Sequence, residues 1–299
     1  MKEIKKQFKP FVNFKKLKKD GFRLISKEEN NLLCYLKDNV HANINESGVE
    51  NLGTDWMLRQ MGAGNFKFSR RWAWLYRHYI WASRVKVPRA YVVDIGCDIG
   101  EIRNIISKSF YIKNPLYLGI DLDLKRLKKG AEGIQMKVPA MYVQHDVTTK
   151  MDFIESNSVD VVFSGETIEH FEKKFAKLML REIYRILKPG GIFAISTPNK
   201  DNSKGYSFHV HEYTIPEFCK MILDAGLGIE KVWGWVTTES CIKKSKKKNV
   251  LKIYKILKEK VNKDLVVPMI AYLDPEVSDA FCVEGRKPNL EKSSGKKVV

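Results

Sequence analysis

The pattern of apolar and polar positions changes at Ala90. From there on, short runs rich in β-branched residues alternate with stretches whose apolar residues recur every three or four positions. YVVDIG reads as a buried strand, followed by a helix near Glu101 to Lys108; LYLGIDLD is the next strand and LKRLKKGAE the next helix. AMYVQHDV and VDVVFSG follow, then a long helix from about Phe171 to Leu187, a Pro-Gly-Gly turn and the strand GIFAISTP. TIPEFCKMILDAG reads as a helix stopped at Gly226, and IEKVWGWV as a last strand. This alternation predicts an α/β fold: a doubly wound, mostly parallel sheet with crossover helices.

The flanks read differently. Residues 1–20 are a lysine-rich arm, 27–60 are mixed and helical in pattern, and 65–88 interleave Phe66, Phe68, Trp72, Trp74, Tyr76, Tyr79 and Trp81 with Lys67, Arg70, Arg71 and Arg77. At helical spacing Trp72, Tyr76 and Tyr79 share a face that is expected to pack on the sheet as a lid, with Arg70 or Arg71 left to face a ligand; the alternative is a base-stacking surface. IKKSKKKNVLKIYKILKEK predicts a loop and then an amphipathic helix, and the final residues predict a disordered tail. The expected organisation is a basic, aromatic helical extension at 1–88, a central domain at 89–235, a lysine-rich extension packed on it at 236–285, and a tail at 286–299.

Composition adds limits. Of 299 residues, 44% are hydrophobic, enough for a core. No apolar run approaches the roughly 18 to 20 residues that span a bilayer, and the N-terminal stretch lacks the apolar segment of a secretory signal. The 5 cysteines form no CxxC pair, so reduced thiols in a cytoplasmic protein are expected, with no zinc site. The net charge of +18 is uneven. Residues 89–235 hold 20 Lys+Arg against 19 Asp+Glu, residues 1–88 hold 18 against 8, and residues 236–299 hold 15 against 8. Basic flanks on a near-neutral centre suggest a polyanionic partner, nucleic acid or an acidic membrane surface, or serve solubility alone.

The chemistry concentrates at strand ends. In VVDIGCDIGEI, Asp94, Gly96 and Gly100 stand at a strand-to-helix turn, where glycine lets backbone approach a ligand and the helix start offers free N–H groups. Asp121, ending the next strand, has the chemistry to accept from ribose hydroxyls, and Asp146 after the third from an adenine amino group. Together, Asp94-x-Gly96-x-x-x-Gly100, Asp121, His145-Asp146, FSGETIEH and LKPGG resemble the class I S-adenosylmethionine-dependent methyltransferases over about residues 89–235. The resemblance implies a seven-stranded sheet with S-adenosyl-L-methionine at the carboxyl ends of its strands. It places Asp94, Gly96, Cys97, Asp98, Gly100, Asp121, Leu122, Asp146, Val147 and Gly165 around the cofactor. Asp98 stands where that family usually has glycine; aspartate tolerates the left-handed conformation better than most residues.

On the acceptor side, Glu166, Glu169 and His170 fall at i, i+3 and i+4, one face of a helix. That face suits a divalent metal or an ordinary charged first turn. With Ser196-Thr197-Pro198-Asn199 and His209-x-x-Glu212-Tyr213-Thr214, it resembles the small-RNA 3′-terminal 2′-O-methyltransferases. That resemblance implies Mg²⁺ or Mn²⁺ bound by Glu166, Glu169, His170 and His209, with Glu166, His170 and His209 catalytic. The same Glu-x-x-Glu-His also resembles ubiquinone-pathway O-methyltransferases, and Phe208 and His211 depart from the RNA family. The expected function is O-methylation of a hydroxyl-rich acceptor, tilted toward RNA, a nucleotide or another phosphorylated molecule. The alternatives are a small molecule or glycan, and a non-catalytic nucleic-acid-binding protein of this fold.

Overall fold

The computed structural model describes residues 2–25, 32–36, 68–108, 114–132, 138–203 and 205–289. The strands are β1 (Arg23–Ile25), β2 (Leu32–Leu36), β3 (Tyr91–Ile95), β4 (Leu116–Asp121), β5 (Ala140–Gln144), β6 (Val159–Gly165), β7 (Leu187–Pro198), β8 (Gly228–Thr237) and β9 (Ser278–Arg286). They form one sheet in the order β1-β2-β5-β4-β3-β6-β7-β9-β8. From β5 to β7 every pairing is parallel; β9 is antiparallel to both β7 and β8. These seven strands are the expected doubly wound, class I methyltransferase-type sheet. The short β1 and β2 extend it beyond β5, with β2 parallel to β5 and β1 antiparallel to β2.

Period-two alternation decides which side chains meet which layer. Val93, Ile95, Leu118, Ile120, Met141 and Val143 face one core, which α6 (Lys173–Ile186) and α7 (Ile215–Asp224) cover through Met179, Ile183 and Phe218. Val92, Tyr117, Ala140 and Tyr142 face the other, covered by α3 (Phe68–Ala82), α4 (Glu101–Lys108) and α5 (Leu124–Glu132). The strand-end turn at Pro189 is a bulge inside β7 rather than a break: pairing with β6 slips between Val159 and Val161, and Gly190 takes φ 76°.

Four expectations about the flanks change. The lysine-rich arm is part of the core. α1 (Lys2–Phe8), α2 (Phe14–Lys19) and the turn between them carry Ile4, Phe8, Phe11 and Leu17 into it, with Phe8 and Phe11 fully buried and Phe11 stacked on Tyr91. The apolar spacing i, i+4, i+7 outweighs the lysines between, which point outward. On α3 the buried face is Ala73, Arg77 and Trp81, while Tyr76 and Tyr79 are 38% and 58% exposed, so the expected lid face is turned out. The Trp72, Arg70 and Arg71 side chains lie outside the described residues, as do 290–299 of the expected tail and all of the expected helical stretch 27–60 except 32–36, which the structure makes a strand, β2, rather than a helix: Leu32–Leu36 pairs with β1 and β5.

Fourth, the segment 236–285 does more than rest on a finished domain. After α8 (Glu239–Ile242), α9 (Lys248–Lys260) and α10 (Lys263–Leu273), it returns as β9 and inserts between β7 and β8. The run SDAFCVEGR, buried from Ala280 to Gly285, supplies the residues that a strand covered on both faces requires. Among the described residues, no helix is long and apolar enough to cross a membrane. Cys97, Cys219, Cys241 and Cys282 are free thiols.

Candidate functional site

The turn after β3 is shaped by three left-handed residues: Gly96, Asp98 and Gly100 at φ 70°, 51° and 76°. A Cβ at Gly96 would stand 2.1 Å from Thr167 Oγ1, and one at Gly100 would stand 2.3 Å from the Tyr142 hydroxyl. Glycine is therefore demanded twice over, by φ and by space. Asp98 takes the left-handed position with its carboxylate held 2.8 Å from Arg126 of α5, and its N–H donates to Asp121 at 2.8 Å. The other Asp121 oxygen accepts the Asp123 N–H at 2.9 Å. Each carboxylate oxygen has a second lone pair left for a further donor.

Burial and crowding set the ionisation here. Asp94 is pushed up to about 7 by burial and by the charges of Asp121 and Asp98, although the Tyr117 hydroxyl donates to it at 2.6 Å. Asp121 is pushed up to about 6, chiefly by burial, with Asp98 and Asp123 adding to it. Carboxylates that discourage one another's ionisation suit a cationic ligand, and a molecule carrying an ammonium and a sulfonium matches this donor set. Asp146 lies just past β5, where its Oδ1 accepts both the N–H and the hydroxyl of Thr148 at 2.9 and 2.6 Å. Val147 is buried and Leu122 half-buried. Cys97 is buried with its thiol raised well above its ordinary value, first by burial, so it stays protonated as a small core residue. Gly165 lies against another element: a Cβ there would sit 3.0 Å from the Arg77 guanidinium.

The acceptor side departs from the expected helix face. Only Ile168–His170 forms a turn of 3₁₀ helix, and Glu166 precedes it at φ 52°. Glu166 is therefore off the face that Glu169 and His170 share. Its Oε1 accepts from Ser196 at 2.7 Å and meets Arg77 at 3.4 Å, while Arg77 also donates to Ser196 at 2.6 Å. The Arg77 guanidinium lies 4.8 and 4.7 Å from the ring centres of Trp81 and Trp235, a slot of two π faces.

Glu169 is fully buried. Its Oε2 accepts from Thr197 at 3.2 Å and its Oε1 has no hydrogen-bond partner. Burial, then the Glu166 charge, raises it well above the ordinary carboxylate range. The loop after β7 folds over this turn: the N–H groups of Val210 and His211 donate to the Glu169 carbonyl at 2.9 and 3.0 Å. Nδ1 of His170 hydrogen-bonds the Phe208 carbonyl at 3.2 Å, and Nδ1 of His209 meets Glu212 Oε1 at 2.5 Å. Burial lowers His170 to about 4, so it is a neutral imidazole at pH 7.

Ligand atoms of Glu169, His170 and His209 all lie within 4.8 Å of one another. With Nδ1 engaged on each ring, Nε2 is the nitrogen each has for a ligand, the arrangement by which outer partners orient metal-binding histidines. An orphaned buried carboxylate oxygen beside two such rings fits a divalent ion. One carboxylate with two imidazoles suits Mn²⁺ better than Mg²⁺. Glu166, expected as a fourth ligand, is engaged by Arg77 and Ser196 instead. His211 pairs with Glu217 at 3.0 Å, outside the cluster.

The sequence names Ser196, Thr197 and Glu212 as motif positions and Arg77 within the aromatic stretch without giving them a role, and it does not single out Tyr117. Arg77 had a usable signal: at i, i+4, i+8 it shares a face with Ala73 and Trp81.

Residues 93–195 match the family model described as a methyltransferase domain. Over 152 residues the chain is 30% identical to phosphoethanolamine N-methyltransferase 1 of Arabidopsis thaliana, covering 46% of this chain and 29% of that protein. Over 117 residues it is 28% identical to 2-methyl-6-phytyl-1,4-hydroquinone methyltransferase of Synechocystis, covering 39% of this chain and 35% of that protein. The chain thus spans about a third or less of the length of these curated relatives. Among solved structures, a SAM-dependent methyltransferase from Archaeoglobus fulgidus aligns with TM-score 0.52 at 17% identity, over 78% of this chain and 99% of that one, a likeness of fold.

Proposed function

We propose that this chain, whose residues 93–195 match a methyltransferase-domain model and whose sheet has the class I fold, moves the methyl group of S-adenosylmethionine to an oxygen of a hydroxyl-rich acceptor. The acceptor is held against Glu169, His170 and His209. The observation that carries this reading is the convergence of those three donors within 4.8 Å, at the end of β6, with both Nδ1 atoms anchored. The cofactor residues lie beyond the ends of the adjoining strands β3 and β4, where ligands of such sheets gather.

In this reading Asp121 takes the ribose hydroxyls on the lone pairs its two backbone contacts leave. Asp94 faces the amino group. Glu169, His170 and His209 would hold the divalent cation, which acidifies a bound hydroxyl and orients it. Burial raises Glu166 above the ordinary carboxylate range; Arg77 and Ser196 oppose that rise and hold it still, out of the coordination sphere. The basic flanks favour an acceptor carrying phosphate, an RNA end or a phosphorylated small molecule, and the plant relative's name also specifies a phosphorylated acceptor. The two relatives' names describe chemically different acceptors, so the choice rests on the site.

The test is binding and turnover together. Calorimetry with S-adenosylhomocysteine and with Mn²⁺ should give two independent sites. Glu169→Ala should lower Mn²⁺ affinity at least about tenfold without moving cofactor affinity. Methyl transfer from labelled cofactor to ribonucleosides, RNA and phosphorylated polyols should stop in excess chelator. Full turnover in chelator, or unaltered Mn²⁺ binding in the variant, would remove the metal. Failure to bind S-adenosylhomocysteine would remove the methyltransferase reading itself.

A further inference from the structure

α10 is a helix almost swallowed by its neighbours. From Leu265 to Leu273 the exposed side chains are Leu265, Met269 and Leu273, at 47%, 43% and 46%. They stand at i, i+4 and i+8, one stripe about 12 Å long. A solvent-facing stripe of a helix is ordinarily its polar side; here it is wholly aliphatic. α10 sits on α3, and at that seam Tyr76, 38% exposed, meets the ring of Tyr272 edge-on with centroids 6.2 Å apart.

The neighbouring α9 repeats the pattern beside charge. Val250 and Tyr254 are buried, while Ile253 and Ile256 are 36% and 46% exposed on one flank. Lys248, Lys252, Lys255 and Lys258, all exposed, occupy the other flank, and Lys243, Lys244 and Lys246 precede the helix. Exposed aliphatic side chains and a band of lysines therefore lie together on one helical pair that the catalytic chemistry does not use.

We propose that the outward faces of α9 and α10 dock on an anionic lipid bilayer, with Leu265, Met269 and Leu273 entering the boundary between headgroups and acyl chains and the α9 lysines meeting the lipid phosphates. Charge and side-chain type select this occupant. Residues 236–299 carry 15 Lys+Arg against 8 Asp+Glu, which repels a second copy and attracts an anionic surface. Nucleic acid would use the lysines, but three aliphatic side chains give it neither stacking nor hydrogen bonds. An interfacial helix combines an apolar stripe with flanking lysines, and long lysine stems suit a fluid array of phosphates. The inference is independent of the acceptor: the docked face brings the enzyme to a membrane whatever it methylates there.

The full chain should float with vesicles of phosphatidylcholine and phosphatidylglycerol in equal parts and bind vesicles of phosphatidylcholine alone far more weakly. Two triple variants separate the contributions. Lys252→Glu/Lys255→Glu/Lys258→Glu should reduce partitioning about hundredfold or more, since each lysine near such a surface is worth about fivefold. Leu265→Ser/Met269→Ser/Leu273→Ser should reduce it about tenfold or more. S-adenosylhomocysteine binding reports folding, and should the triple serine variant lose it, Met269→Ser alone supplies the apolar arm. No binding to the mixed vesicles, or binding that neither triple weakens, overturns the proposal. So does a dimer that the serine variant dissolves, or RNA binding that depends on the lysines while vesicles are ignored.

Discussion

The mouth of the sheet holds two groups of carboxylates built on opposite plans. On the cofactor side, Asp94, Asp98, Asp121 and Asp123 come from two adjoining strand-to-helix turns and are held largely by local contacts: backbone N–H groups, the Tyr117 hydroxyl and Arg126. On the acceptor side, Glu166 and Glu169 depend on distant elements: Arg77 from α3, Ser196 and Thr197 from β7, and the 205–211 loop. The first plan keeps a cofactor site rigid through short stretches of chain. The second lets the acceptor site change by replacing one contributor at a time.

If the two sides are separable, single substitutions should damage one and spare the other. The largest effect is expected from Asp121→Ala, which removes the two charge-assisted contacts proposed to the ribose, worth about 1.5–3 kcal/mol each. S-adenosylhomocysteine affinity should fall about hundredfold or more by calorimetry, with Mn²⁺ affinity unchanged. A parallel fall in Mn²⁺ affinity would fuse the two sides. Next is Arg77→Met. It strips the cation from between Trp81 and Trp235 and leaves Glu166, itself 30% exposed, with the Ser196 hydroxyl but without its charged partner. Breaking a fully buried pair costs about 3–5 kcal/mol; the partial exposure of Glu166 reduces that to about 2 kcal/mol in chemical denaturation, with cofactor affinity kept.

A pH titration comes third. Asp94 holds its proton up to about 7 in the folded chain, against 3.8 for an ordinary aspartate. Between those values the folded state binds more protons than the unfolded one, so this residue's contribution to stability falls as pH rises, by at most about 1.4 kcal/mol per unit. The ligand-free protein should lose melting temperature across that window, and Asp94→Asn should flatten the slope. The cationic cofactor should oppose the loss. The smallest effect is Asp98→Gly. Glycine relieves a left-handed residue, while the partly exposed pair with Arg126 is lost at about 0.2–1 kcal/mol, so stability should stay within about 1 kcal/mol.

The same contrast explains what the sequence discloses. The cofactor side is legible because its residues are contiguous: a glycine turn has to follow β3, and an aspartate ends β4. Asp98 in place of glycine was readable too, because its left-handed tolerance is a local property. The acceptor side was only half legible. Glu169, His170 and His209 could be paired by resemblance, but a helical wheel drawn through GETIEHF puts Glu166 beside them. One left-handed residue before a 3₁₀ turn undoes that geometry. Arg77 was harder still: its spacing with Ala73 and Trp81 marks the buried face, but nothing local says what an arginine there would meet, since Glu166 lies just past β6, Ser196 on β7 and Trp235 on β8. The aromatic stretch around it misleads by its richness: its spacing predicts that Tyr76 and Tyr79 pack on the sheet as a lid, and the residues that pack are Ala73 and Trp81. The insertion of β9 was also invisible, because an antiparallel strand arriving after three helices leaves no periodic trace of its place in the sheet.

That insertion has a consequence for synthesis. β9 is made after every other described strand, yet its register against β7 and β8 holds the sheet together on the acceptor side. Asn199, where the acceptor loop begins, donates its N–H to Asp279 and its side-chain amide to Ser278. A nascent chain halted before Ser278 would carry the whole cofactor turn while lacking the wall that supports Thr197 and the loop bearing His209. Prematurely released chains would then retain a cofactor pocket but lack a supported acceptor site, so an interrupted translation product is not a half-working enzyme.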